Sequence, residues 1–571
     1  MAASPTDPCL LPAPRRVELG DRTIEAIDPR LVQIETDRRL VGDGYRLDIT
    51  ADGVRAAAGS APGAEHARRT LGQLDTACAG RWPLGAIEDD PDLAVRGVML
   101  DVSRDKVPTI ETLELIVDQL AAWKVNHLQL YVEHTFVHPG FEDVWADASP
   151  LTVDEVAHLV SFAATRHVEV VPNQNCLGHM ERYLVHPRLR HLALAPDGFR
   201  LLGFLPKPPS TLDPRSEEAF GLVSRLVGDW IDAVPGAARM HVGLDEPWEL
   251  GPELLDDYQR WARRLRDLPP LDGREVLMWG DILAKHPALL DGMPDDVTVC
   301  EWGYEAGHPW TERLAALAER GVERWVAPGT SSWLSLLGRT TNMRDDVGQA
   351  VDAALADGGV GGLLSTDWGD WGHHQYLPVS WAGLAWSAAQ AWCRASNRDL
   401  DLAHALDVHA FESTGPGYGA ALCALGDAHR HWGSDVPNVA ASYLGLWLPQ
   451  LPIRGVERGA PDAVAAALED ALGLGDPGAE VATTVELARL LLDEAAARLD
   501  GDGSLGSVRE ALRREFAERL SAISVDHERH WLTRNRPGGL DDSLAWFDHL
   551  ADAWRTGVAD PDWSGPLQIR V

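Results

Sequence analysis

Two adjacent carboxylates, Asp245 and Glu246, are the residues of this 571-residue chain whose types and spacing most readily do chemistry. They end a short apolar run, residues 239–244, and Pro247 breaks the chain directly after them. Two ionised carboxyls in one site repel each other, so one of them tends to keep its proton near neutral pH and can act as a general acid. The pair therefore indicates glycosidic or acyl chemistry. A solvated strand end is the alternative in a chain this acidic.

The elements that must position this pair form an eightfold alternation of short β-rich runs and longer amphipathic stretches. The amphipathic stretches include residues 109–124 and 152–166, and the second begins with Thr152 and Glu155 at the spacing of a capping box. Such alternation is typical of a (β/α)8 TIM barrel, an α/β fold. The eight runs are residues 95–104, 127–133, 168–175, 239–246, 275–282, 297–304, 323–331 and 361–370.

The C-terminal ends of these runs carry polar and aromatic residues that a core would not favour. In a barrel these ends meet at one mouth, where catalytic groups lie on short loops. Indole faces pack on the apolar face of a pyranose, and carboxylates and arginine bind its hydroxyls. The mixture therefore favours a sugar site at the mouth. The residues are Arg104, Glu133, Asn173, Asn175, Asp245, Glu246, Trp279, Asp281, Glu301, Trp302, Tyr304, Trp368 and Asp370.

The composition of the chain argues against several classes of partner and cofactor. A formal charge of −36, with only four lysines, disfavours nucleic acid and anionic membranes. The six cysteines form no CxxC pair, and no His-x-His closes the first run, so we expect buried free thiols and neither a metal nor a cofactor. No segment has the length of a membrane span, and the N-terminus lacks a basic start followed by an apolar run. A soluble cytoplasmic protein is expected.

Several motifs resemble glycoside hydrolase family 20, the β-N-acetylhexosaminidases. Residues 241–246 are similar to the family's His-x-Gly-x-Asp-Glu signature, and residues 96–104 to its first barrel strand. Residues 178–179 resemble the Gly-His that follows its third strand, and residues 368–370 its late Trp-Gly-acid motif. The resemblance covers about residues 40–395, because it extends into the α/β domain that precedes the barrel in that family.

The resemblance implies an exo-acting, retaining hydrolase that removes terminal β-linked GlcNAc or GalNAc by substrate-assisted catalysis. In that mechanism the oxygen of the substrate's own 2-acetamido group attacks the anomeric carbon and forms an oxazolinium intermediate. Glu246 would act first as acid and then as base, and Asp245 would orient the acetamido N–H. Arg104 would grip the sugar hydroxyls, and Asp370 would bind the hydroxyls farthest away.

The resemblance also assigns roles around the catalytic pair. Glu133 and His179 would form a relay beside Glu246 that tunes its proton affinity. The position of Glu133 is usually an aspartate in the family. The acetamido pocket and the sugar ring would be walled by Trp279, Trp302 and Trp368.

One departure from the family concerns the tyrosine that hydrogen-bonds the acetamido oxygen. It has no clear match in residues 325–337, where Ser331, Ser332 or Trp333 occupies the region. Tyr304 is the nearest tyrosine that could substitute. Both Trp333 and Tyr304 are therefore taken as candidate substrate-binding residues.

The chain divides into an N-terminal α/β domain at residues 1–92, the barrel at residues 93–395 and a helical region at residues 396–571. We expect the helical region to pack on the barrel or to mediate a homodimer. Alternatively, a segment with His530, Trp531 and Arg534 reaches the mouth and shapes a subsite. The helical patterns lie near residues 461–473, 479–499 and 506–530.

Two functions of different classes remain open. The first is the hydrolase, acting on a small-molecule or oligosaccharide substrate with a terminal N-acetylhexosamine. The second is a non-catalytic amino-sugar-binding protein on a degenerate hydrolase barrel, which would keep the tryptophans but could lose the acid. The presence of both Asp245 and Glu246 favours the enzyme.

Overall fold

A computed structural model describes residues 8–567. The N-terminal elements are β1 (Arg16–Glu25), β2 (Ile34–Thr36), β3 (Tyr45–Thr50), β4 (Gly53–Ala58), α1 (Ala61–Ala77) and β5 (Arg81–Asp89). The strands form one mixed sheet in the order β1-β5-β3-β4-β2, in which β2 pairs parallel with β4 and the other pairs are antiparallel. The helix α1 packs on this sheet, so the predicted N-terminal α/β unit is confirmed.

Within residues 8–567, eight parallel strands close into a barrel, as the alternation predicts. The elements of this region, in chain order, are β6 (Val95–Asp101), α2 (Ile110–Ala122), β7 (His127–Val132), α3 (Glu142–Trp145), α4 (Val153–Ala164), β8 (Glu169–Gln174), α5 (Glu181–Leu184), β9 (Phe199–Leu201), β10 (Leu205–Lys207), α6 (Glu217–Ala233), β11 (Arg239–His241), α7 (Leu255–Arg266), β12 (Glu275–Trp279), α8 (Asp281–Lys285), β13 (Val297–Trp302), α9 (Trp310–Ala318), β14 (Glu323–Ala327), α10 (Thr340–Asp357), β15 (Val360–Asp367) and α11 (Leu377–Trp392). The barrel closes through β15 and β6, and β9 and β10 form a separate hairpin.

Local capping fixes the start of α4 where the sequence places it. The Thr152 side chain accepts a hydrogen bond from the backbone N–H of Glu155, at 3.3 Å. The Glu155 carboxylate accepts one from the backbone N–H of Thr152, at 2.8 Å. Two backbone donors at the helix N-terminus are thereby satisfied, and the predicted capping box is confirmed.

The N-terminal sheet is joined to the barrel by a buried polar cluster. Lys124 Nζ lies 2.7 Å from Asp89 Oδ2 and 2.9 Å from the hydroxyl of Tyr45. Trp392 Nε1 donates to the other oxygen of Asp89, at 2.8 Å. Because Lys124 and Trp392 belong to the barrel region and the other two residues to the sheet, this cluster fixes the two units against each other.

The region after the barrel is helical, as its sequence pattern predicts. Its helices are α12 (Arg394–Asn397), α13 (Leu402–His409), α14 (Tyr418–Leu425), α15 (Ala460–Leu472), α16 (Ala479–Leu499), α17 (Glu510–Arg534) and α18 (Leu540–Thr556). They share one continuous hydrophobic core with the barrel. No helix within residues 8–567 combines the length and the apolar character needed to cross a bilayer.

The suggestion that residues near 530 reach the barrel mouth is wrong. Trp531 is buried and donates through Nε1 to the carbonyl of Arg536, at 2.8 Å. Arg534 forms an ion pair with Glu480 of α16. His530, one turn before Arg534 on α17, is also buried. The segment is the end of α17, which continues to residue 534 and turns these side chains into the helical packing.

Candidate active site

The backbone after β11 departs from the extended strand that the sequence predicts for residues 239–246. Gly243, Leu244 and Glu246 have positive φ angles of 70°, 75° and 42°, so the regular strand ends at residue 241. A Cβ on Gly243 would lie 2.0 Å from the amide oxygen of Asn175. Glycine is therefore needed here, both for its backbone conformation and for the close approach of Asn175. The turn directs Asp245 and Glu246 into the barrel mouth.

The loop after β8 packs directly against the carboxylate pair. A Cβ on Gly178 would lie 2.4 Å from the carbonyl oxygen of Asp245. This close approach brings the next side chain, His179, between the two carboxylates. His179 Nε2 lies 3.3 Å from Asp245 Oδ2 and 3.7 Å from Glu246 Oε2.

The surroundings of Asp245 and Glu246 shift the pKa values of the two carboxyls apart. Burial opposes a charge on His179, but the attraction of Asp245 outweighs it and raises the histidine pKa to about 10. Burial also opposes ionisation of Asp245, yet the charged His179 holds its pKa below the usual range. For Glu246 burial dominates, and with the repulsion of Asp245 and Asp281 it raises the pKa to about 7. Near neutral pH, Asp245 is therefore ionised, whereas Glu246 is protonated in a large part of the molecules and can transfer that proton.

Arg104, at the end of β6, forms a charged cluster across the mouth from the pair. Its Nη1 lies 2.7 Å from Asp370 Oδ1, and its Nε lies 3.2 Å from Glu133 Oε1. Glu133 also accepts a hydrogen bond from the hydroxyl of Tyr131, at 3.0 Å. Arg104 Nη2 lies 3.4 Å from His179 Nδ1. Arg104 thus contacts both Glu133 and His179, the two residues of the predicted relay.

Aromatic side chains wall the space between the two charged groups. Trp302 stacks on Tyr304 with ring centroids 5.0 Å apart. The hydroxyl oxygen of Tyr304 accepts a hydrogen bond from Trp368 Nε1, at 2.8 Å. Trp279 lies 6.0 Å from Trp368 and is almost fully buried. These four side chains form a compact apolar wall with a hydroxyl at its centre.

Trp333 does not line the cavity, and neither do four other residues predicted at the mouth, Asn173, Asn175, Asp281 and Glu301. Trp333 is buried behind Tyr304, with its ring edge-on to the tyrosine at 5.0 Å. The loop after β14 turns inward through positive φ angles at Ser331 and Leu334, and this carries the indole beneath the wall. Trp333 supports Tyr304 and does not line the cavity.

The cavity at the mouth has a volume of about 380 Å³, within the range of small-ligand sites. The predicted residues that line it are Arg104, Glu133, His179, Asp245, Glu246, Trp279, Trp302, Tyr304, Trp368 and Asp370. Its further lining includes residues that sequence reasoning missed, among them Lys207, Trp248, Trp371, Trp546 and residues 564–567. Trp371 adjoins a recognised motif and could have been found, whereas nothing in the sequence near Trp546 indicates contact with a barrel mouth.

The described part of the chain has no cluster of side chains grouped as metal ligands. Residues 8–567 contain no group of three or more His, Cys, Asp or Glu side chains placed to hold a metal ion. The carboxylates of the mouth are instead occupied by Arg104 and His179. The arrangement of these side chains is suited to moving a proton and stabilising a positive charge.

Comparison with known proteins agrees with this geometry. Residues 94–351 match the model of the glycosyl hydrolase family 20 catalytic domain. The barrel region is therefore similar to the catalytic domain of glycoside hydrolase family 20. The β-hexosaminidase of Akkermansia muciniphila is 30% identical over 191 residues, which are 30% of this chain and 38% of that protein. Human hexosaminidase D is 29% identical over 232 residues, 37% of this chain and 45% of that protein. The matches thus span less than half the length of these curated relatives.

Solved family 20 structures share the fold. A β-N-acetylhexosaminidase from Streptomyces coelicolor A3(2) superposes with a TM-score of 0.55 at 21% identity, over 70% of this chain and 95% of that one. A mutant β-hexosaminidase of Streptomyces plicatus, in complex with the product GlcNAc, superposes with a TM-score of 0.54 at 21% identity, over 70% of this chain and 94% of that one. At this level of identity the likeness establishes architecture.

Proposed function

We propose that this protein is an exo-acting β-N-acetylhexosaminidase that hydrolyses terminal β-linked GlcNAc or GalNAc with retention of configuration. The observation that carries the proposal is the placement of Asp245 and Glu246 on either side of His179 in one aromatic-walled cavity, where the pKa of Glu246 is raised and that of Asp245 is lowered. The β-hexosaminidases among its relatives, and the GlcNAc bound to the Streptomyces plicatus protein, support this substrate class.

The proton transfer belongs to Glu246. A carboxyl with a pKa of about 7 is protonated in a large part of the molecules at neutral pH and can protonate the glycosidic oxygen as that bond breaks. Once the leaving group has gone, the same carboxylate accepts a proton from the water that adds to the anomeric carbon. One residue thus serves both steps, and its proton is restored at the end.

The acetamido group of the substrate supplies the nucleophile in this proposal, and three side chains, Asp245, Trp279 and Tyr304, are placed to hold it. Asp245 Oδ1 and Trp279 Nε1 are buried, and neither has a hydrogen-bond partner among residues 8–567. Asp245 can accept the acetamido N–H and offset the positive charge of the oxazolinium ring. Because the oxygen of Tyr304 accepts a bond from Trp368, its own O–H remains available for the acetamido oxygen. Burial raises the pKa of Tyr304 and keeps that proton in place.

The opposite end of the cavity suits the sugar hydroxyls. Arg104 and Asp370 form an ion pair. Both side chains can also form hydrogen bonds to neighbouring hydroxyls of a bound sugar. The guanidinium carbon of Arg104 also lies 4.7 Å from the ring of Trp368, which fixes its orientation. Binding at this end leaves the anomeric carbon beside Glu246.

The test is the initial rate of hydrolysis of 4-nitrophenyl β-glycosides of GlcNAc, GalNAc and glucose. We expect turnover of at least one amino sugar and almost none of the glucoside, because glucose lacks the acetamido nucleophile. Binding of GlcNAc without any turnover would instead favour the amino-sugar-binding protein. Efficient cleavage of the glucoside would contradict the substrate-assisted mechanism.

A further inference from the structure

A short C-terminal segment, residues 563–567, crosses one end of the active-site cavity, and residues 564–567 line it. We call this segment the C-terminal strap. Lys207 Nζ, on the β9–β10 hairpin, donates to the carbonyl of Ser564 at 2.8 Å, and the Ser564 hydroxyl donates to the carbonyl of Pro206. On the other side, Trp563 packs edge-on to Trp546 of α18 at 6.0 Å. The strap is therefore held between the hairpin and the last helix.

The strap adjoins the Asp370 side of the cavity, several contacts away from the acid. Contacts run from Glu246 through His179 and Arg104 to Asp370. Trp371, the residue after Asp370, stacks on the Trp546 ring that also contacts the strap, with centroids 5.9 Å apart. Because Glu246 must reach the scissile bond, the strap end faces the hydroxyls that are farthest from that bond.

A second cavity, of about 420 Å³, adjoins the active site at the strap. Ser103, Asp105, Arg182 and Leu567 line both cavities. Arg182 lies 3.0 Å from Asp105 Oδ1 and 2.7 Å from Asp542 Oδ2, so this ion-paired side chain and Leu567 form the partition between the two spaces. The remaining lining of the second cavity is largely polar and includes His134, Asp147, His186 and Asp541.

We infer that the C-terminal strap makes the protein exo-acting, because it fills the passage that a further sugar on the distal hydroxyls would have to occupy. The inference rests on the proposed hydrolase function. With the strap in place, the cavity accepts a terminal sugar. Without it, the polar second cavity receives the preceding sugar of a chain, and hydrolysis of the same type of bond releases a disaccharide.

The experiment compares the full chain with a chain that ends at Asp562. The substrate is the 4-nitrophenyl β-glycoside of N,N′-diacetylchitobiose, whose first products distinguish the two modes. Cleavage of the bond between the two sugars gives GlcNAc and 4-nitrophenyl GlcNAc. If the terminal sugar instead enters the second cavity, cleavage of the bond to the aryl group gives intact chitobiose and 4-nitrophenol. We expect GlcNAc to dominate for the full chain, and the chitobiose-to-GlcNAc ratio to rise about tenfold or more on truncation. Val558→Ala, an exposed site in the same region, is the control and should leave the ratio unchanged.

Two point variants decide the matter if the truncated chain does not fold. Leu567→Gly opens the partition, and Lys207→Met removes the hydrogen bond to Ser564. A raised chitobiose-to-GlcNAc ratio in either folded variant supports the inference, and an unchanged ratio in both overturns it. Hydrolysis of 4-nitrophenyl GlcNAc by the full chain is measured alongside. Its absence would refute the proposed function, while its presence with unchanged ratios refutes the strap alone.

Discussion

Asp245 and Glu246 differ by one methylene, and their neighbours shift their pKa values in opposite directions. His179 stands closer to Asp245 than to Glu246, and its charge favours the aspartate. The pKa of Glu246 is raised by burial and by two nearby carboxylates, Asp245 and Asp281. Adjacent residues in the chain can thus serve as proton donor and as permanent anion.

The pH dependence of activity follows from these two groups. The acid must be protonated, so kcat/KM should fall as the pH rises through about 7, the pKa of Glu246. On the acid side, activity should persist until Asp245 is protonated, below its ordinary value of 3.8. Initial rates of the amino-sugar glycoside across the pH range give the profile.

Glu246→Gln is the companion variant for this profile. It should lose the fall of kcat/KM near pH 7, and its remaining activity should be confined to leaving groups that depart without protonation. An unchanged alkaline fall in this variant, or equal losses for aryl and alkyl glycosides, would assign the acid to another residue.

The turn after β11 places the pair, and its geometry depends on one glycine. In Gly243→Ala the new methyl group would meet the Asn175 side chain, and the backbone would keep an unfavourable positive φ of 70°. Displacement of the carboxylates by about 1 Å can cost about 100-fold in rate, so kcat/KM should fall on that scale while the chain stays folded.

Gly221→Ala is the matched control for this variant. Gly221 lies inside α6, and a Cβ there has no neighbour within 4 Å. This change should raise the free energy of unfolding by about 0.5–1 kcal/mol and leave kcat/KM unchanged. Full activity in Gly243→Ala would show that the close approach of Asn175 does not position the pair.

Elements with a strong local pattern could be predicted from the sequence, whereas loop geometry could not. The barrel strands and α16 (Ala479–Leu499) follow from hydrophobic periodicity and cap residues. The early end of β11 and the burial of Trp333 arise from positive φ angles and from contacts with distant side chains. Such contacts leave no periodic signal in the chain around them.

At the scale of the whole molecule, the mouth of the barrel is completed by residues far away in sequence. Trp546 and the C-terminal strap reach the cavity from the helical region, which the sequence could describe only as helices packed on the barrel. Their contact depends on how α18 is docked, and docking is fixed by the shared core rather than by any local motif. The predicted boundary near residue 395 therefore does not divide the site from the helical region, because residues on both sides of it line the cavity.

The joint between the N-terminal sheet and the barrel gives a prediction on stability. Lys124→Ala would leave the Asp89 carboxylate buried without its cation and should lower the free energy of unfolding by about 3–5 kcal/mol. Thermal denaturation followed by circular dichroism measures the loss. Arg46→Ala, which removes two exposed ion pairs of the same sheet, with Asp48 and Glu88, is the control and should leave the melting temperature nearly unchanged. A melting temperature for Lys124→Ala equal to that of the control would show that the cluster does not hold the units together.

The central claim is that the site holds a cyclised, positively charged acetamido sugar beside Asp245, and one calorimetric measurement tests it directly. The affinity of a thiazoline analogue of the cyclised sugar is compared with that of free GlcNAc, in the native chain and in Asp245→Asn. We expect the thiazoline to bind at least about 100-fold more tightly than GlcNAc to the native chain, because the site should complement the transition state rather than the product. That preference should largely disappear in Asp245→Asn, while GlcNAc affinity changes little. Equal affinities of the two ligands for the native chain would contradict the account.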